Sequence, residues 1–492
     1  MMGQQEAESY PTARMLIFLA ALVVLLGQIS LTISDEAQQA AKAIRFPFPL
    51  HYVEGVTLDQ QQRANLDALY STHITSAPFA ITTSPPLYYL LTRVLGTTTP
   101  EFVPGRALSV AATVVAALLT GLICLALSQS VLGAVVGGAM LLMFPVVGYW
   151  GLLNTPEPLA FALGLAGLCA LLWLDNAVGV VLAAVLIVLT AATSSSMAVT
   201  PWLTAVLWLL LQRRRRSAIA LALAVPVCCA VGFVALNSIT GGGFSLHAIT
   251  ASNRGYSLPL MLGYMFNILV RAIPMLVMSM AFFVVERLSE PARAPGADRT
   301  LAFLLTALVA GTLAGLVGTN MSATLMPAAA ICVTMGVALD WLGRNRLVAV
   351  GLLVVMFVQL TPLESWREAD FAPELQRRFN GTREASQLVT MFRDAGSAVL
   401  TDEYISILVM QGQRPYVYPL EFNELQQAGQ WSDADLVDAI RRRQFKLIAL
   451  YEPVTSDGQP LIRQRWPRAV LGAIRETYKQ QTSVADAQIY VP

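Results

Sequence analysis

A helix that crosses a bilayer needs about 20 mostly apolar residues, because the hydrocarbon core is roughly 30 Å thick. Runs of this kind dominate the chain. Eleven occur, at approximately 15–33, 107–127, 131–149, 158–174, 177–196, 198–212, 217–237, 262–286, 300–319, 321–342 and 347–362. Composition points the same way. The 492 residues are 55% hydrophobic and 13% charged, whereas soluble domains carry about 25% charged residues. A soluble core of this size has no room for so much apolar surface, and a bilayer does. The expected fold class is a polytopic α-helical membrane protein of about eleven transmembrane helices.

The first run, Met15 to Ile33, has no cleavage pattern and reads as a signal anchor rather than a removed peptide. Cys124, Cys169, Cys228, Cys229 and Cys332 all lie in apolar runs, without the spacing of a disulfide framework or a zinc site. A net charge of +1 leaves no electrostatic footprint for a nucleic-acid partner. No internal repeat is visible, which counts against an inverted-repeat transporter.

Arginines orient the chain. Arg213 to Arg216, then Arg287, Arg293 and Arg299, then Arg344 and Arg346 fall in loops on one side. Cytoplasmic loops are enriched in Lys and Arg. That side is therefore read as cytoplasmic, with the N-terminus inside and the C-terminus outside the cytoplasmic membrane. Three segments then face the exterior: a large loop over 34–106, a second over 237–259, and a tail over 364–492. The tail mixes strand-like pieces (Ala398–Leu400, Tyr416–Tyr418, Leu447–Tyr451, Ile489–Val491) with a helix capped near Ser432. It reads as a C-terminal extracytoplasmic α/β domain, following a membrane domain over 1–363.

The first outer loop opens with Asp35 and Glu36 and runs through Phe46-Pro47-Phe48-Pro49-Leu50-His51-Tyr52-Val53-Glu54-Gly55. A polar helical stretch from Val56 to Tyr70 follows, then Ser84-Pro85-Pro86-Leu87-Tyr88-Tyr89 and Pro104-Gly105-Arg106. The segment from Pro86 to Leu95 is apolar but too short to span, and is expected to lie along the membrane surface. This order of features resembles the GT-C glycosyltransferases, and within them the branch of protein O-mannosyltransferases and the lipid A aminoarabinose transferase. The resemblance continues through Glu157 in the next outer loop and Gly318-Thr319-Asn320 to an exoplasmic α/β tail. It implies a GT-C-like fold and transfer of a sugar from a polyprenyl-phosphate donor to an acceptor outside the membrane, with inversion. The implied partners are membrane lipid, that donor, and a lipid, glycan or protein acceptor.

Such a reaction needs a carboxylate to take the acceptor's proton during attack. It needs cations or hydrogen-bond donors at the departing phosphate. Glu54 is the first candidate base, read alternatively as a structural loop acid. Asp35 and Glu36 are its rivals, read alternatively as first-turn charges of a helix over Ala37–Ile44. The substrate-binding candidates are His51, Tyr52, Arg106, Glu157, Arg254 and Arg271. Glu157 also reads as a helix-start charge, and His51 as a structural histidine. Arg271 stands in an apolar stretch and would either bind the carrier phosphate or snorkel to water. The lysine that related enzymes place before Pro-Pro is Ser84 here. The three histidines His51, His73 and His247 lack metal-site spacing, so no cofactor is indicated. Two other readings compete: a transporter or flippase, and a catalytically inactive scaffold subunit.

Overall fold

The computed structural model describes the chain except for Met1, Ala64, 97–100, 289–293, Pro295, 343–345, 361–371, 452–464 and Ala485. All eleven apolar segments are mainly helical where described, with breaks at 143–144, 194–195 and 272 and a non-helical end at 316–319. Among the described residues, five helices are long and apolar enough to cross a membrane, or up to seven if each of two bent pairs is one span. Helix Leu325–Leu342 forms the centre, with nearly every side chain buried. Its neighbours approach closely because glycines face each other. A Cβ on Gly133 would lie 2.4 Å from the Gly336 carbonyl oxygen, and one on Gly336 would lie 2.6 Å from that of Gly133. Small residues allow such backbone contact between membrane helices. Helix Arg215–Ile239 is peripheral and exposes Ile219, Leu223, Val227, Val231 and Val234, the face expected against lipid.

Three expectations need correction. The first helix does not end at Ile33. It runs unbroken from Met2 to Arg45, so the outer loop begins at Phe46. The stretch from Asp35 to Arg45 is rich in Ala, Gln, Glu and Lys, which are strong helix formers. Lys42 and Arg45 fall in the last turn, where positive charge suits the helix dipole. Asp35 and Glu36 are therefore mid-helix residues, about 15 Å below its outer end at 1.5 Å per residue. Second, two expected spans are bent. Val131–Leu142 and Pro145–Leu152 meet at 61°, and Leu258–Ile268 and Ile273–Leu288 at 81°. Pro145 follows the first break, where proline disfavours helical backbone in the preceding residue and Phe144 is extended. Third, the polar loop helix spans Tyr52–Gln62 with His51 as its N-cap, starting earlier than the expected Val56, and a separate turn covers Leu66–Leu69.

The C-terminal region holds a four-stranded sheet in the order β1-β2-β4-β3: β1 Val399–Thr401, β2 Leu447–Leu450, β3 Lys479–Val484 and β4 Ala487–Val491. β1 and β2 are parallel; the other pairings are antiparallel. Tyr416–Tyr418 is not a strand of this sheet. Val417 instead bridges Phe79 in the first outer loop. One hydrophobic core unites Tyr52, Val56, Phe79 and Ile81 of that loop with Val417, Phe422, Trp431, Ile448 and Trp466. The C-terminal region and the loop thus share a core.

Contacts sort the molecule into two ends. At one, Arg214 Nη1 meets Asp175 at 2.6 Å, Trp208 Nε1 donates to the Arg299 carbonyl at 2.7 Å, and Arg287 pairs with Asp298 at 2.6 Å. At the other lie the first outer loop, the 237–259 loop and the C-terminal region. Arg214, Arg287 and Arg299 thus gather at the end away from those three segments.

Candidate functional site

Two carboxylates dominate the polar end, and they differ in what surrounds them. Glu54 sits in the first turn of helix Tyr52–Gln62 and is fully buried. Its Oε1 accepts from Arg106 Nε and the Asn154 backbone N–H, both at 2.8 Å. Its Oε2 accepts from Arg106 Nη2 and the Leu50 N–H, both at 2.7 Å. A carboxylate offers about four acceptor positions, and all four are taken. Arg106 is equally buried, at the start of helix Val103–Ser128. Its remaining donors reach the carbonyls of Ala43 at 2.8 Å, Phe46 at 2.6 Å and Phe48 at 2.7 Å. This bidentate pair ties the end of the first helix, the loop and the second outer loop together.

The tie extends to Asn154. Its side-chain carbonyl accepts from Gln61 Nε2 and Tyr88 Oη, both at 2.8 Å, and its amide donates to Gln61 Oε1 at 3.0 Å. Gly105 is required beside it, since a Cβ there would lie 1.7 Å from Asn154 Oδ1. Three residues after Asn154, helix Glu157–Trp173 begins.

Glu157 lines a cleft of about 300 Å³ with Ser84, Ser194, Ser252, Arg254, Asn320 and Ser322. Asn320 Nδ2 donates to its Oε1 at 3.4 Å, the Thr155 hydroxyl and the Glu157 backbone N–H also lie close to the carboxylate, and its buried Oε2 makes no hydrogen bond of full geometry. Arg254 forms the cationic wall. Its Nε donates to the Ala251 carbonyl at 2.8 Å, and its Nη1 pairs with Glu424 from the C-terminal helix Pro419–Gln427. Burial pushes the Glu424 carboxyl above the usual range, against the pull of Arg254. Gly318 has φ of +93°, a left-handed conformation suited to glycine, and lets Arg254 and Glu424 pass close to its backbone.

The remaining candidates lie elsewhere. His51 packs edge to face against Tyr149 and Trp150, with ring centroids at 6.2 and 5.8 Å. Tyr52 is buried and donates to Glu421 at 2.5 Å. Asp35 is exposed on the first helix, and Glu36 faces Gly148 of helix Pro145–Leu152. Arg271 ends helix Leu258–Arg271 at the bend, and its side chain lies outside the described residues. Glu157 and Arg254 meet in one cleft; Glu54 and Arg106 meet in the buried tie instead.

Several polar residues here escape sequence reading. Asp59, Arg63 and Tyr418 form a buried cluster in which Arg63 Nε contacts Asp59 at 2.8 Å and Arg63 Nη2 donates to Tyr418 Oη at 2.6 Å. Glu403 takes Arg378 at 2.7 Å and Arg465 besides. Burial raises the Glu403 carboxyl, but Arg465 and Arg378 outweigh it and hold the group below its ordinary value. Only the Asp59–Arg63 spacing of four on a helix was a sequence signal. Among the described residues, no group of three or more His, Cys, Asp and Glu side chains is arranged to hold a metal ion.

No sequence family matches the chain, and neither does any curated protein. Solved structures do. ArnT from Cupriavidus metallidurans bound to undecaprenyl phosphate superposes with a TM-score of 0.61 at 12% identity, covering 94% of this chain and 98% of that one. The same protein in its apo state gives 0.62 at 11% identity over the same shares. The two chains share one fold along nearly their whole lengths.

Proposed function

We propose that this GT-C chain is a membrane glycosyltransferase. It moves a sugar from a polyprenyl-phosphate donor to an acceptor on the outer side of the cytoplasmic membrane. The supporting observation is the near full-length likeness to ArnT, a protein solved with undecaprenyl phosphate. The polar end is read as the outer side because Arg214, Arg287 and Arg299 gather at the opposite end.

In this reading the base is Glu157, not Glu54. A general base must have a lone pair free to take the proton, and all four acceptor positions of Glu54 are filled. Glu157 has an oxygen that makes no hydrogen bond of full geometry, in a cleft lined by hydroxyls. The acceptor oxygen forms a bond to the sugar's anomeric carbon as the bond from that carbon to the phosphate oxygen breaks. The acceptor proton passes to Glu157, and the carrier phosphate leaves as an anion. One displacement inverts the anomeric centre. Arg254 is placed to hold the phosphate, because a guanidinium matches phosphate oxygens with paired donors. Glu424 is its partner until the phosphate arrives.

Binding of undecaprenyl phosphate to the purified chain tests this. Wild type is expected to bind, and Arg254→Lys, which keeps the charge and loses the fork, is expected to bind roughly tenfold more weakly. Absence of binding in the wild type removes the reading. A reporter fused after Pro492 is expected to be active only outside the cytoplasm, and cytoplasmic activity would reverse the topology.

A further inference from the structure

A second cleft lies where the segment after the first helix meets helices Ala372–Asn380 and Thr382–Ala395. It encloses about 690 Å³, inside the range of roughly 300–1,000 Å³ typical of small-ligand sites. It shares no lining residue with the Glu157 cleft.

Its wall is built of two materials. Phe46, Phe48 and Tyr404 supply aromatic surface, with the two phenylalanine rings edge to face at 5.7 Å. Gln376, Asn380, Arg377, Arg378, Glu384 and Asp486 supply polar groups. Two of these are cations and two are anions, so the formal charge of the lining cancels. Arg378 is fixed in place: its side chain is 7% exposed and held by Glu403 at 2.7 Å. Gln376 and Arg377 stand exposed at the rim.

This mixture discriminates among ligand classes. An anionic headgroup calls for an excess of donors, and an acyl chain calls for no polar lining. A hydroxyl both donates and accepts. A ring of hydroxyls is therefore matched by amides, guanidinium groups and carboxylates side by side, and its C–H face by aromatic rings, which combine apolar surface with directional edges. We propose that this cleft is a saccharide-binding subsite, holding the glycan part of an acceptor while transfer occurs in the Glu157 cleft. Its role as an acceptor subsite rests on the transferase reading; the saccharide binding does not.

The test uses the purified full-length chain and a panel of soluble di- and trisaccharides built from hexoses, N-acetylhexosamines and pentoses. Saturation-transfer NMR reads saccharide binding, and undecaprenyl phosphate binding is measured on the same preparations. At least one saccharide is expected to bind. The exposed pair Gln376→Ala with Arg377→Ala is expected to weaken it about tenfold, the effect of losing one or two hydrogen bonds, while leaving undecaprenyl phosphate binding unchanged. Phe48→Ala is expected to weaken it similarly. The proposal is overturned if no saccharide in the panel binds, if binding survives these substitutions, or if inorganic phosphate displaces the saccharide. Saccharide binding without undecaprenyl phosphate binding would keep the subsite and remove the transferase; the converse would keep the transferase and remove the subsite.

Discussion

The surroundings of Glu54 and of Glu157 are the two most informative regions of this molecule. Both residues are acids in the first turn of a helix at the polar end. Glu54 accepts four close hydrogen bonds, two of them from a buried arginine; Glu157 has only neutral donors near it (Asn320, Thr155 and its own N–H), and its Oε2, which lines a cleft, makes no hydrogen bond of full geometry. Saturation separates a structural carboxylate from a chemically available one. The two regions are also connected. The Asn154 N–H that binds Glu54 lies three residues before Glu157, so the saturated region holds the open one in place.

The sharpest way to break this contrast is to cut the saturated pair. Arg106→Met leaves Glu54 buried with two of its four donors gone. Removing one partner of a buried ion pair costs about 3–5 kcal/mol, a large share of a typical domain's stability. The expected outcome is a protein that fails to accumulate or melts far below wild type in detergent. A wild-type melting temperature would contradict the account of that region. Gly105→Ala is expected to do less. The added methyl meets Asn154 Oδ1, and overpacking costs about 1–3 kcal/mol. The same melting assay reads it, and transfer is expected to fall further than stability alone explains, because Asn154 leads into Glu157. An unchanged rate per folded molecule would disconnect the two regions.

The smallest effect concerns acid. His247 is buried between the first outer loop and the 237–259 loop. Its Nδ1 accepts from the Thr82 N–H at 2.9 Å, and its Nε2 lies 2.7 Å from the Ser71 carbonyl, to which it donates. Burial, the largest cause, pushes its pKa down from 6.5 to about 4. The unfolded chain therefore binds a proton between those values that the folded chain does not. The stability this provides is complete above about pH 6.5 and is lost as pH falls toward about 4. The melting temperature is expected to drop across that window, and less steeply in His247→Asn. Equal slopes would assign the acid sensitivity to other groups.

Much of the fold was legible because lipid imposes a simple rule, and each apolar run from 107–127 onward meets a helix, although among the described residues five to seven helices, not eleven, are long and apolar enough to cross a membrane. The first run was legible less well. Its continuation through Asp35 to Arg45 is polar, so hydropathy ended it too early although helix propensity did not. Strand β3, Lys-Gln-Gln-Thr-Ser-Val at the sheet edge, carries no apolar alternation to reveal it. Of the candidate site, Glu157 and Arg254 were named from the sequence and line one cleft, while Glu54 and Arg106, also named, pair in the buried tie. A sequence shows that Glu54 is an acid in an outer loop; it does not show that Arg106, 52 positions away, and the Asn154 backbone fill its lone pairs. Glu424, 170 positions from Arg254, had no local signal at all.

The central claim is that Glu157, and not Glu54, is the acid available for chemistry. It is tested most directly by the transfer rate of Glu157→Gln from a polyprenyl-phosphate sugar, measured with its melting temperature and undecaprenyl phosphate binding. Gln keeps the shape and removes the base. The account predicts a rate lower by on the order of 10²- to 10⁴-fold, with melting and lipid binding close to wild type. A Glu157→Gln protein that turns over at the wild-type rate would contradict it.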